Sequence, residues 1–275
     1  LDRVINIYGQ EELIKRPGSS TRFSTILPRA SWIVDNSIFG FTGPIDGYRQ
    51  NISITASPGW KTDFKFQTIK LDARKYWRFG RDYTLAVRGF FGRSRGKDAQ
   101  KFFLGGVPYL LTDFQSGTTN GKSDPSAYRS VITDTSNSNL ITDVYFTEYV
   151  YPMRGARFAE RIGTYASLFN FEVRFPFINY LALGFPLKVV LGNIRGHAFV
   201  DVGAAWDSAD EFSSNSWPDK YGSNDTAKFS PWVVTSGLGV KINLGYFLLR
   251  VESAWDKNPS GYSKPQWYLS LGPDW

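Results

Sequence analysis

Cysteine is absent from the sequence, and histidine and methionine occur once each, as His197 and Met153. Without cysteine there can be no disulfide, thiolate metal site or cysteine nucleophile. A single imidazole excludes a zinc site that needs several, and no metal or cofactor is expected. No apolar run approaches the roughly 18 residues of a membrane-spanning helix. Runs of five or six like charges are also missing. The 32 Lys+Arg and 25 Asp+Glu are dispersed in the manner of solvated faces, and no nucleic-acid partner is expected. The chain opens on Leu1 with no leader peptide, from which a processed or truncated product is expected. Aromatic residues, by contrast, are abundant: 9 Trp, 15 Tyr and 22 Phe in 275 residues. Rings with a polar edge suit a boundary between water and lipid better than a soluble core.

Period-two alternation dominates the readable segments. In residues 165–175, Phe169, Phe171, Val173 and Phe175 alternate with Asn170, Glu172 and Arg174. In residues 246–256, Phe247, Leu249, Val251 and Trp255 alternate with Arg250 and Glu252. The last ten residues put Trp267, Leu269, Leu271 and Trp275 on one face, opposite Tyr268, Ser270, Gly272 and Asp274. Such patterns read as strands with one apolar and one polar face. Further strands are expected at 22–34, 50–57, 64–77, 83–91, 196–206 and 233–244, giving nine, each of the length that crosses a bilayer. Residues 4–8 are a candidate for the end of a tenth.

The predicted connections alternate in length. Short ones fall at 78–82 and 243–245, with a somewhat longer one at 177–186. Long polar ones fall at 103–162 and 207–228, rich in Ser, Thr, Asn, Asp and Gly. Short turns on one side and long loops on the other are the pattern of an outer-membrane barrel with extracellular loops and a periplasmic C-terminus. A soluble antiparallel sandwich also alternates. Two features favour the all-β, antiparallel transmembrane barrel. Faces of Phe, Leu and Trp lie opposite faces of Glu, Arg, Asn and Lys, and Trp77, Trp206, Trp232, Trp255 and Trp275 gather at strand ends, where an aromatic girdle belongs.

In Phe199-Val-Asp-Val-Gly203 the alternation puts His197, Asp201 and Gly203 on the polar, inward face. A carboxylate there favours a guanidinium, which offers two parallel donors. Arg154, in Tyr151-Pro-Met-Arg-Gly-Ala-Arg-Phe158 near the end of the longest loop, is a candidate partner. Spacing alone equally allows Arg154 to be one solvated loop arginine among many. His197 shares a face with Asp201, but a phospholipase would need its histidine towards lipid, and no serine has the context of a nucleophile elbow. No enzyme is expected. Glu172 beside Arg174 and Glu252 beside Arg250 read as charge compensation across strands. Gly237 and Gly239 read as kinks or close backbone approaches.

Three motifs together resemble the C-terminal barrel region of the BamA, TamA and FhaC superfamily of outer-membrane assembly and translocation proteins. Phe102-Phe-Leu-Gly-Gly106 followed by Met153-Arg-Gly155 resembles the superfamily's gate loop. Phe199-Val-Asp-Val-Gly203 is similar to the strand motif that receives the loop arginine. Residues 266–275 resemble the terminal-strand assembly signal, carried by Trp267, Leu269, Leu271 and Trp275. Other phrases, Asp35-Asn-Ser-Ile-Phe-Gly-Phe-Thr-Gly-Pro44 and Gly192-Asn-Ile-Arg-Gly196 among them, are similar to barrels fused behind TolB-like propellers. The resemblance implies a latch of Arg154 and Gly155 against Asp201 and Gly203, with 103–162 as an extracellular gate loop of one barrel domain, 1–275. It implies barrel assembly or polypeptide translocation as the function. The partners implied are outer-membrane lipid and lipopolysaccharide, client polypeptides and other complex subunits. A non-enzymatic scaffold that anchors a surface complex is the alternative. Ala156 departs from the motif, which has an aromatic residue there, and Val107 to Val150 is an insertion. A sixteen-strand barrel needs about 400 residues, so upstream strands from this or another chain are expected to complete it.

Overall fold

The computed structural model describes residues 2–5, 11–14, 25–59, 64–115, 147–150, 152–156, 160–184, 189–208, 232–258 and 261–272. Every regular element among the described residues is a strand. The main sheet contains β1 (Arg29–Asp35), β2 (Gly43–Pro58), β3 (Lys65–Phe79), β4 (Tyr83–Gly96), β5 (Leu110–Gln115), β6 (Tyr165–Leu183), β7 (Val189–Trp206), β8 (Trp232–Asn243), β9 (Leu248–Asn258) and β10 (Gln266–Gly272). Their spatial order is β1-β2-β3-β4-β6-β7-β8-β9-β10-β5. Every neighbouring pair is antiparallel. The architecture is therefore the all-β antiparallel one that the alternation implies. β2, β3, β4, β6 and β7 run for 14 to 19 residues, longer than the 9–11 or so that a tilted strand needs to cross hydrocarbon.

Three elements differ from the sequence expectation. The connection expected at 177–186 is mostly strand: β6 continues to Leu183 and β7 opens at Val189, pairing Tyr180 with Gly192 and Leu183 with Val189. The register shifts between Pro176 and Ile178. Proline has no N–H for the ladder, and the bulge absorbs it. The side-chain phase then slips, so the alternation upstream no longer reads through. Secondly, β5 lies inside the insertion expected to be polar loop, and it pairs along the outer edge of β10. Thirdly, Asp2–Ile5 pairs with Glu11–Ile14 in a separate two-stranded sheet; of the candidate strand end at 4–8, residues 6–8 lie outside the described residues.

The two faces of the sheet are sharply different. Phe169, Phe171, Val200, Leu238 and Trp267 are exposed on one, while Asn170, Glu172, Asp201, Thr235, Glu252 and Ser270 are buried on the other. Polar side chains lose contact with water there because residues 102–107, 148–150 and 152–156, between β4 and β6, fold against that face. Phe102–Leu104 runs parallel to Glu148–Val150 and antiparallel to Arg161–Gly163. Phe102, Leu104, Val150, Met153 and Ala156 from this segment pack on Ala166, Leu168, Ala205 and Val233 of the wall. Small wall residues leave room for the large loop residues, each of which contributes roughly 1.5–3 kcal/mol when fully buried, as an upper bound.

Candidate functional site

The apolar packing above delivers a tight turn to the middle of the inner face. Gly106 and Met153 exchange two backbone hydrogen bonds, at 3.2 and 3.0 Å, which fix the chain just before Arg154. Gly155 has φ +85°, a left-handed conformation that glycine adopts without penalty. A Cβ at Gly155 would also crowd the side chains of Ala254 and Thr235. Its N–H instead donates to the Tyr268 hydroxyl of β10 at 3.0 Å.

Arg154 is 1% exposed. Its Nε and Nη2 donate to Oδ2 and Oδ1 of Asp201 at 3.0 and 2.9 Å, and its backbone N–H donates to the same carboxylate at 3.1 Å. Nη1 donates to Glu172 Oε2 at 2.6 Å and to Glu252 Oε1 at 3.3 Å. The guanidinium carbon lies 3.6 Å from the centre of the Phe199 ring, so the cation is also covered on its face. One loop residue thereby contacts β6, β7 and β9. Burial would lower the Arg154 pKa, but the carboxylates of Asp201, Glu172 and Glu252 outweigh it and hold the group well above its ordinary value.

The carboxylates are satisfied in turn. Asn170 Nδ2 donates to Asp201 Oδ1 and to the Pro152 carbonyl, both at 2.8 Å. Glu172 receives Lys241 at 2.6 Å and Arg174 at 2.7 Å. His197 Nε2 sits 2.9 Å from Glu252 Oε1. Charges buried with this many partners are tolerated, whereas a lone one would not be. The arrangement therefore holds two pieces of chain together. Three glycines make the space for it. A Cβ at Gly203 would stand 2.8 Å from Met153 Sδ and 2.9 Å from Leu104, blocking the loop. Gly237 and Gly239 accommodate Phe199 and His197.

Arg154, Gly155, Asp201 and Gly203 are thus brought to one place. Trp267, Leu269 and Leu271 share the outward face of β10, and Tyr268, Ser270 and Gly272 are buried on the other. Trp275 lies outside the described residues. Trp77 stands beside the short turn between β3 and β4, while Trp206, Trp232 and Trp255 lie towards the long connections. The sequence reading left out Glu172, Glu252, Asn170, Lys241 and Tyr268 as members of the site. Their inward phase was readable, but which inward residues the loop would touch depends on its path, for which the sequence carries no local signal.

A family model described as the Omp85 superfamily domain matches residues 10–275. No curated protein matches the chain. Among solved structures, the crystal structure of BamA from Haemophilus ducreyi lacking POTRA domains 1-3 is similar at 16% identity and a TM-score of 0.47. The likeness covers 88% of this chain and 42% of that one, so this chain spans less than half the length of that BamA chain.

Proposed function

Because this chain belongs to the Omp85 superfamily, we propose that it is the barrel region of an outer-membrane protein that assembles or translocates polypeptides without enzymatic chemistry. The long loops face the exterior, and the short turns and C-terminus face the periplasm. Arg154 acts as the latch of the gate loop. The observation that carries this reading is the engagement of one loop arginine, bidentate, with Asp201 of β7, together with Glu172 of β6 and Glu252 of β9. Gly155 extends the contact to Tyr268 on β10. A closed latch keeps these strands in register, and its release loosens β10, whose outer edge β5 covers at the seam where a client strand would enter. Clients, companion subunits and any strands that complete the barrel are the partners, with lipid and lipopolysaccharide around the wall.

The test is depletion of the full-length protein in its native host, followed by complementation with the parent or Arg154→Ala. Loss of other barrel proteins, or of an exported polypeptide, from the outer membrane is expected on depletion, with poor rescue by the variant. Normal levels of both after depletion, with stoichiometric co-purification of fixed subunits, would replace this reading with the scaffold one.

A further inference from the structure

The outward face of β2, β3 and β4 contains a hollow that no side chain among the described residues fills. Gln50, Ala73 and Gly89 stand side by side in one row across the three strands, and Tyr48, Lys75 and Val87 in the next. Together with Arg74, whose guanidinium is held by Asp72 on the inner face, they line a depression of about 460 Å³. On the far side, the row Ile52, Leu71 and Phe91 restores full-sized apolar side chains. Gly89 has no packing reason to be glycine: a Cβ there would meet nothing within 4 Å. This sets it apart from Gly203 and Gly237, whose missing side chains are replaced by the loop and by Phe199. A glycine inside a strand weakens it and often marks close approach of a ligand.

The lysine at the rim points the same way. Lys75 Nζ lies 5.8 Å from the centre of the Tyr48 ring and 5.6 Å from that of Trp77. Among the described residues Lys75 makes no ion pair, whereas Lys70, Lys101 and Lys241 each meet a carboxylate. A lysine between aromatic rings near a strand end occupies the depth at which ammonium groups reach lipid phosphate. Gln50 puts an amide donor beside the hollow, one row further from the turn.

We propose that this hollow is a binding site for one anionic glycerophospholipid of the leaflet on the short-turn side. The phosphate rests on Lys75, an ester carbonyl accepts from Gln50, and one acyl chain lies over Ala73 and Gly89. The site rests on the membrane-barrel reading above. A net negative headgroup such as phosphatidylglycerol is preferred over phosphatidylethanolamine, whose own ammonium repels Lys75.

The test is native mass spectrometry of the full-length protein released from detergent with phosphatidylglycerol, phosphatidylethanolamine or lipopolysaccharide. Gly89→Leu fills the hollow in open space and so preserves the fold. Lys75→Gln removes the charge, and Phe171→Leu on the same outer face is the control. The parent and Phe171→Leu should retain one phosphatidylglycerol. Gly89→Leu should lose it, and Lys75→Gln should weaken retention about fivefold, the attraction of one surface lysine for anionic lipid. Equal retention in all four proteins, or a preference for lipopolysaccharide, would overturn the site. Carbonate extraction tests the underlying premise separately: a parent that washes off membranes refutes the barrel, and one that stays but binds like Gly89→Leu refutes only the site.

Discussion

On the inner face of β3 and β4, Asp72 receives Arg74 at 2.9 Å and Arg88 at 2.8 Å. On the inner face of β6, β7 and β9, three carboxylates receive Arg154. Both clusters join guanidinium to carboxylate by charge-assisted hydrogen bonds, yet they differ in what they connect. Asp72, Arg74 and Arg88 all belong to strands already zipped from Phe66 to Phe79, so their contact repeats what the backbone ladder does. Arg154 comes from a segment outside that ladder. Exposure follows the same division: the Asp72 side chain is 16% exposed, while Asp201 and Glu172 are fully buried. The same pairing is redundant in one place and singular in the other, because only one of the two crosses from the loop to the wall.

That contrast can be broken or sharpened by substitution. Arg154→Ala leaves three carboxylates sharing fewer cations in a buried site and should cost about 3–5 kcal/mol, read by thermal unfolding in detergent and by faster cleavage within the loop. If it costs no more than Arg88→Ala, the contrast fails. Gly203→Val keeps every charge but pushes a side chain into Met153 and Leu104, and about 1–3 kcal/mol should be lost through overpacking. Its loop should be cleaved almost as fast as in Arg154→Ala, and an intact loop would mean that the apolar contact is dispensable. Arg88→Ala leaves Asp72 with Arg74 and some water, so about 1 kcal/mol is expected, with loop cleavage unchanged. Smallest of all, Trp77→Ala removes a ring that touches neither cluster and should change unfolding by at most about 0.5–1 kcal/mol, detected by the same melt.

How far the sequence carries depends on the range of the interaction. The facing of Phe171 against Glu172, or of Val200 against Asp201, is a strand-local property, and period-two alternation is enough to read it. Where alternation is interrupted, as at Pro176, the strand continues through a bulge that local reading takes for a turn. Arg154 and Asp201 are 47 residues apart; charge and facing made them one candidate pair among several, and the likeness to a known loop motif singled it out. Glu252 is 98 residues from Arg154 and belongs to no motif. Its membership follows from the tertiary path that lays the loop turn across β6, β7 and β9. β5 is the hardest case, because its partner β10 lies at the other end of the sequence and its own residues are set among polar ones.

The pairing of β5 with β10 bears on kinetics as well as on architecture. Residues 266–270 are matched to Gln115, Phe114, Asp113, Thr112 and Leu110, and the Leu271 N–H donates to the Tyr109 carbonyl at 3.1 Å. An extended chain arriving at this edge therefore finds its donors and acceptors in use. It must exchange bond for bond, with little net gain from the backbone. Under the proposed function, entry would be paced by the dissociation of β5, beginning at the register shift between Leu269 and Ser270. Because the backbone exchange is near neutral, an edge working in this way would select newcomers by their side chains rather than by their backbone.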